Sequence, residues 1–327
     1  MSAPLTRGDV AALTARLSRL DDPSDNAALL ALLRVLYDVG RRDLPLGRLF
    51  EGHVDALQII ARYGTEQQRA GVEAAAFDGA AFGVWNADRP GEPTQLRNGR
   101  LHGSKAFASG AGVLSHALIS VDADGGRQLL LIDLAATPPT IDRTWWRVTG
   151  MQRSETHLVS WNDQALPAEA VIGAPGDYVR EPWFSGGAIR FAAVQAGGIA
   201  AVVNGVRDHL TAQDRAGDPH QRARLAELYL AAQSAADAVA RAAAGWSTRD
   251  VPRTLALVAA ARAAVYAAGE RVLALAPAAV GVQAMFIDHP LSGQLTDLST
   301  YLRQPAPDLQ RDRLGEAVAS ALVAPEL

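Results

Sequence analysis

The sequence predicts an α+β chain in three consecutive parts: a helical N-terminal domain over residues 1–78, an antiparallel β-barrel or sandwich over 79–177, and a helical bundle over 178–327. Three observations predict it. From Asp9 to Phe77 the apolar residues recur at three and four, the spacing of one helix face. From Gly79 to Gly176 the chain breaks into short alternating or continuous apolar segments separated by Gly, Pro, Asn and Asp. From Pro182 onward helical spacing returns, with alanine the commonest residue.

In the first part, Ala27, Leu30, Leu33 and Val35-Leu36, then Val54, Leu57, Ile60 and Ala61, carry the helical spacing. Thr6, Asp25 and Thr65 each precede such a run and are expected to accept hydrogen bonds from its first free amides. Gly40 and Gly64 are expected to end two runs in the left-handed conformation that glycine adopts most cheaply.

In the second part, the predicted strands are Ala81–Trp85, Arg100–Ala108, Ala117–Val121, Gln128–Leu134 and His157–Trp161. Asn98-Gly99 and Asp124-Gly125-Gly126 are placed as hairpin turns. No long helical pattern separates the strands, which favours antiparallel pairing over a Rossmann sheet. Trp145-Trp146 is assigned to a strand, as barrel packing or an oligomer contact. In the third part, Leu225, Leu228, Ala232, Ala235 and Val239 share one helical face, and Leu255, Val258, Ala261 and Val265 another. Gly197, Gly198 and Gly205 lie inside a helical pattern, where each costs about 1 kcal/mol relative to alanine. Close helix packing is the expected compensation, in a bundle of four or five helices.

Composition removes several classes of function. The 327 residues contain no cysteine, which excludes disulfides, thiolate catalysis and thiolate-bound metal. There are 31 basic and 35 acidic residues, a net charge of −4 and no block of like charge, so neither nucleic acid nor an anionic membrane is an expected partner. Every base but Lys105 is arginine. The N-terminus has no apolar signal-peptide core, and the uncharged stretches Phe191–Val206 and Val272–Ile287 are too short for a membrane span and read as buried helix, so a cytoplasmic location is expected. No Gly-x-Gly-x-x-Gly, P-loop or Gly-x-Ser-x-Gly is present, Ser185-Gly186-Gly187 reads as the start of a helix, and the histidines lack ligand spacing, so no metal site is expected.

Four stretches carry more specific information. They are Glu51-Gly52-His53-Val54 through Arg62-Tyr63-Gly64-Thr65-Glu66-Gln67-Gln68-Arg69; Asn98-Gly99 to Gly103-Ser104-Lys105-Ala106-Phe107-Ala108-Ser109-Gly110; Gly150-Met151-Gln152-Arg153-Ser154-Glu155-Thr156 continuing through Leu166-Pro167 to Ile172-Gly173; and Arg190 with the small-residue helix to Val206. In order and spacing, over residues 46–210, they resemble the acyl-CoA dehydrogenase family. The resemblance implies an N-terminal helical domain, a central antiparallel β-barrel and a C-terminal four-helix bundle around FAD. Beyond residue 210 it is one of helix layout.

Carried over by position, the resemblance places Trp85, Asn86, Phe107, Ala108 and Ser109 at the cofactor. Phe107 stands for the family's tryptophan beside the flavin ring and Ser109 for its threonine near N5. Lys105 becomes a structural strand residue of the same segment. Arg215-Ala216-Gly217 keeps only part of the family's Arg-x-x-Phe-Gly, whose arginine reaches the FAD of a neighbouring subunit. The family's Gln-x-x-Gly-Gly-x-Gly has become Ala276-Pro277-Ala278-Ala279-Val280-Gly281, so the backbone cannot come as close to a pyrophosphate. The two family positions of the catalytic glutamate correspond to Pro305 and Ile189, neither of which can take a proton.

The implied function is an FAD-dependent oxidoreductase that departs from standard α,β-dehydrogenation. A flavin-dependent monooxygenase of the same fold, or a flavin-free scaffold with a binding role, is the alternative. His53, Arg190 and Gln304 are the candidates for a catalytic role, His53 because an imidazole titrates near neutrality. The expected partners are a small-molecule substrate, an acyl-CoA thioester among them, and copies of the chain in a homodimer or homotetramer. The short N-terminal part predicts an open substrate side or one covered by a partner subunit.

Overall fold

The computed structural model describes residues 5–14, 22–23, 25–123 and 125–326. Four helices come first: α1 (Arg7–Thr14), α2 (Asn26–Arg42), α3 (Leu44–Tyr63) and α4 (Glu66–Phe77). The three predicted N-caps are in place. Thr6 Oγ1 accepts from Asp9 N, Asp25 accepts from Ala28 N, and Thr65 forms a reciprocal capping box with Gln68. The two glycines do something else. Gly40 lies inside α2, where a Cβ would sit 2.3 Å from Val194 O, so its role is a close helix crossing. Gly64 follows α3 with φ −73°, outside the left-handed region, and a Cβ there would meet Ile60 O at 2.6 Å.

The middle of the chain forms β1 (Phe82–Trp85), β2 (Gln95–Arg97), β3 (Arg100–Ala108), β4 (His116–Ala123), β5 (Gly126–Asp133), β6 (Thr140–Asp142), β7 (His157–Ala165) and β8 (Val171–Ile172). Asn98 and Gly99 join β2 to β3 with φ of 51° and 70°, the left-handed pair that a two-residue hairpin needs. Of the second predicted turn, Asp124 lies outside the described residues. The sheet corrects the expected closed antiparallel barrel. Its order is β6-β7-β3-β2-β4-β5-β8, with β1 also on β4, and the path does not close. Pairing is mixed, because β4 runs parallel to both β1 and β2. The β2–β3 hairpin and the turn at 109–115 separate β1 from β4, and this excursion brings the chain back in the same direction. Nor are Trp145 and Trp146 on a strand. They follow β6 in an irregular turn and stack on each other at 6.0 Å.

The remaining chain is α5 (Trp183–Gly186), α6 (Ala188–Ala212), α7 (Pro219–Ala244), α8 (Val251–Val280), α9 (Pro290–Leu302) and α10 (Pro307–Ala319). One hydrophobic core joins α6, α7, α8 and α9 to Leu29, Leu33, Leu36 and Val39 of α2 and to Phe50 and Val54 of α3. The helical layer is therefore not drawn from the last part of the chain alone. Each fully buried aliphatic side chain there contributes about 1.5–3 kcal/mol. The expected close packing at the helical glycines is present: a Cβ on Gly197 would lie 2.1 Å from Tyr37 O, and one on Gly198 or Gly205 would strike Leu44 or Leu291 at 2.8 Å.

Helices Trp183–Ala212 and Val251–Val280 are each long and apolar enough to cross a membrane by length and composition. The uncharged stretch 191–206 lies within the first of them, in a helix longer than the stretch itself, and packs in the core. The stretch 272–287 is not one buried helix: α8 ends at Val280, and Val282, Met285, Phe286 and Ile287 are exposed beyond it.

Candidate functional site

Five pieces of the fold converge on a cavity of about 510 Å³: one face of α3, the ends of β1 and β3, the α5–α6 junction, and the link from α9 to α10. The apolar walls come from Val84, Phe107, Phe184, Phe191 and Leu309. Phe107 has a backbone φ of 55° and is 46% exposed. Its ring stands edge-on to Trp145 at 4.9 Å and to Trp146 at 6.1 Å, so the tryptophan turn fixes its orientation.

The polar floor comes from Arg48, Glu51 and Asp55 of α3, and Gln58 continues their line outside the cavity. Arg48, Glu51, Asp55 and Gln58 are spaced three, four and three apart and share one face of a helix that is otherwise largely buried. Arg48 Nη1 donates to Glu51 Oε2 at 2.8 Å, and its guanidinium lies 4.9 Å from the centre of the Phe191 ring. Gly52 leaves room for that guanidinium, since a Cβ there would stand 3.2 Å from Nη1. Arg190, at the start of α6, donates to Gln58 Oε1 at 2.7 Å and to Asp55 Oδ1. Its Nε lies 3.7 Å from Glu51 Oε1, and neither of these two atoms has a hydrogen-bond partner among the described residues. Burial pushes the Glu51 carboxyl up to about 7, against the pull of Arg48.

The link between α9 and α10 is pinned from behind. Buried Arg262 donates to the carbonyls of Gln304 at 3.1 Å and Pro305 at 2.9 Å, and Gln195 Nε2 donates to those of Tyr301 and Gln304. Burial pulls the Arg262 guanidinium down to about 10. Asp297 accepts from Met151 N at 2.5 Å, and Gly150 packs so tightly on α9 that a Cβ would lie 2.0 Å from Thr296 O. These contacts tie α9 to the sheet beside the cavity.

The structure brings four of the sequence-predicted residues, Asn86, Phe107, Arg190 and Gln304, to this one cavity. Pro305 lines it as well, while Ile189 is turned into the helical core. The other candidates lie elsewhere. His53 is fully buried between α3 and β1; it stacks on Phe50, and its Nδ1 accepts from Phe82 N at 3.3 Å. A helix packed on both sides points this imidazole at the sheet, away from the cavity. Trp85 is buried in the sheet core, its indole donating to Ser109 O at 2.9 Å, and Ala108 is buried beside it. Ser109 is hidden behind the cavity, its hydroxyl accepting from Thr156 Oγ1 at 3.0 Å. The left-handed Phe107 breaks the strand register between Lys105 and Ala108, so its ring reaches the cavity while Ala108 packs in the sheet core and Ser109 lies in the turn past the end of β3. Arg215 is exposed beyond the far end of α6, roughly 35 Å from Arg190 along the helix.

Sequence reasoning missed Glu51, although it stands two residues before His53 in the first of the family-like stretches. The available signal was the spacing of Arg48, Glu51, Asp55 and Gln58: a charged and polar line along a helix apolar on its other sides.

No protein-family model matches the chain, and no curated protein matches it by sequence. Solved structures do match. Butyryl-CoA dehydrogenase from Megasphaera elsdenii is similar with a TM-score of 0.80 and 15% identity, over 97% of this chain and 91% of that one. Dibenzothiophene monooxygenase from Paenibacillus sp. A11-2, a protein also solved with FMN bound, has a TM-score of 0.77 and 15% identity over 96% of this chain and 97% of its own. KijD3, solved with FMN and a deoxyamino sugar nucleotide, has a TM-score of 0.76 and 21% identity over 98% of this chain and 88% of its own. What these proteins share with the chain is the path of the backbone through helices, sheet and helices, and that path is the acyl-CoA dehydrogenase fold.

Proposed function

We propose that the chain is a flavin-dependent oxidoreductase, with FAD the expected flavin, and that its substrate is a small molecule taken into the cavity between α3, the sheet and the α9–α10 link. One observation carries this reading: the exposed ring of Phe107 lines the same cavity as the polar side chains of Arg48, Asn86, Arg190 and Gln304. An aromatic wall and polar side chains complement a flat ring with a hydrogen-bonding rim. The side-chain amides of Asn86 and Gln304 supply further donors and acceptors, and the guanidinium of Arg313 at the mouth suits a phosphate. These residues fit a flavin. When bound, it would supply a two-electron acceptor or, once reduced, a donor to oxygen.

At the two positions where the family resemblance seats the base of an α,β-dehydrogenase this chain has Pro305, which lines the cavity, and Ile189, which packs in the helical core. Fold neighbours that are a dehydrogenase and a monooxygenase support flavin chemistry of either kind. The exposed apolar residues Val282, Met285, Phe286 and Ile287, together with Arg215 as a residue directed to a neighbouring subunit, support a homodimer or homotetramer. A cytoplasmic setting and an acyl-CoA thioester substrate belong to the same reading.

The test is direct. Purified protein is expected to be yellow or to be stabilised thermally by added FAD, and chromatography of the released flavin separates FAD from FMN. Colourless protein that neither flavin stabilises would sink the proposal. Anaerobic mixing with acyl-CoA thioesters then sorts the chemistry: bleaching assigns dehydrogenation, whereas product formed only from reduced flavin and oxygen assigns monooxygenation.

A further inference from the structure

We infer that a second cavity, separated from the one described above by Arg190, binds a neutral pyranose sugar. It measures about 600 Å³ and lies between the start of α2, the end of α3, α5 and the α7–α8 turn. Among the described residues only Arg190 lines both cavities, bonding Asp55 of the first and Gln58 of the second. The site therefore stands independently of the flavin reading.

Two indoles line this cavity, each held in place. The Arg62 guanidinium lies 5.0 Å from the centre of the Trp183 ring and donates to Asp22 Oδ2. Trp246 packs so closely on α5 that a Cβ on Gly186 would stand 2.6 Å from its ring. Asn26 Nδ2 donates to Ala244 O at 2.7 Å and ties α2 to the end of α7, while Thr254 Oγ1 accepts from Ser247 N and donates to Ser247 O, which fixes the turn. The lining is thus set before a ligand arrives. Gln58 is only 4% exposed; its Oε1 accepts from Arg190, and its Nε2 has no hydrogen-bond partner among the described residues. The indole N–H groups of Trp183 and Trp246 are unpartnered in the same sense, and none of the three nitrogens is sealed from solvent.

These groups select a ligand class. Gln58 Nε2, the two indoles and Arg249 supply donors; Asp22 Oδ1, Asp25 Oδ2 and Asn26 Oδ1 supply acceptors, their companion atoms being engaged within the protein. A hydroxyl both donates and accepts, so a ring bearing several of them uses both sets. The charges cancel. Arg62 is paired with Asp22 and Arg190 with Asp55, which leaves Arg249 and Asp25, one of each sign, without ionic partners among the described residues. An anionic ligand would meet Asp25 as well as Arg249, and a cation the reverse, so neither sign is favoured. A pyranose adds what the indoles need: C–H groups on its faces, which the negative face of an aromatic ring attracts, with hydroxyls around its edge. An acyclic polyol has the hydroxyls without that face.

Saturation-transfer NMR titrations of the full chain test this with methyl glucopyranoside, methyl mannopyranoside and cellobiose as probes, against sorbitol, glucose phosphate and AMP. At least one of the three neutral pyranosides is expected to bind saturably and about tenfold more tightly than sorbitol. Trp183→Ala and Trp246→Ala are each expected to weaken that binding by about tenfold or more, and Trp246→Phe, which keeps a ring and loses the N–H, by less than Trp246→Ala. No saturable binding by any of the three pyranosides, sorbitol binding as tightly as the best of them, a phosphate-bearing probe binding about tenfold more tightly, or both alanine variants binding like wild type would each overturn the inference. The wild-type ranking decides even where a variant does not fold. Flavin content is expected to be unchanged in Trp246→Ala, so failure of the sugar site leaves the flavin reading standing, and the reverse.

Discussion

Lys105 Nζ lies 2.6 Å from Asp88 Oδ1, with the lysine side chain wholly buried in β3. The same ammonium donates to the carbonyls of Ser120 and, at 3.3 Å, Asn86, so the chain's one lysine joins β3 to β4 and to the segment that follows β1. Lys105→Met removes the donor to all three and leaves Asp88 with only Arg127 as an ionic partner among the described residues. The expected loss is about 3 kcal/mol, measured by urea denaturation. Burial pulls this ammonium down to about 8 from its ordinary 10.5, so between those values the unfolded chain binds more protons than the folded one. Its contribution therefore makes wild type gain stability relative to Lys105→Met as pH rises from 8 to 10.5.

Glu51 has the opposite dependence. Its carboxyl is raised from 4.5 to about 7, so the folded chain holds the extra proton across that window, and stability from this group is present below pH 4.5 and lost as pH rises through 7. Glu51→Gln cannot ionise. Denaturation at pH 5 and pH 8 is expected to show the variant gaining on wild type at the higher pH; a difference independent of pH would contradict the burial argument.

Phe107 occupies a left-handed backbone position that costs a non-glycine residue about 1 kcal/mol. Phe107→Gly is accordingly expected to be more stable than Phe107→Ala by about that amount, although it has the smaller side chain. Both remove the aromatic wall beside the tryptophan pair. Flavin titration followed by fluorescence is expected to show binding at least tenfold weaker in both, a loss of about 1.4 kcal/mol or more.

Two helical glycines give a matched contrast. Gly197→Ala would place a methyl 2.1 Å from Tyr37 O at the α2–α6 crossing and is expected to cost at least about 3 kcal/mol. Gly293 lies on α9 with no neighbouring atom within 4 Å of the place a methyl would take, and the same change there is expected to gain about 1 kcal/mol. Thermal melts of the two variants test whether packing or propensity decides each site.

Much of the architecture was legible because it is local. β3 begins and ends at the predicted residues, Asp25 and Thr65 cap their helices, and Asn98-Gly99 makes its hairpin, each from a few neighbouring residues. Parallel pairing of β4 with β1 was not legible, because turn residues announce hairpins and nothing announces a partner some thirty residues away. At the site, the same limit applies. Motif position led to Asn86, Phe107, Arg190 and Gln304, but it could not tell which side of a strand or helix faces the cavity, and so it placed Trp85, Ser109 and His53 there as well.

By itself, then, the sequence determined the order of helices, sheet and helices, the absence of thiol chemistry, and the place of a lone lysine in its strand. Only the tertiary structure decided that Glu51 lies buried beside the cavity, one oxygen held by Arg48 and the other without a hydrogen bond among the described residues. A buried carboxyl's charge depends on what surrounds it, and beside Arg48 on the same helix those surroundings include Arg190 on α6 and Arg262 on α8, more than a hundred residues further along the chain.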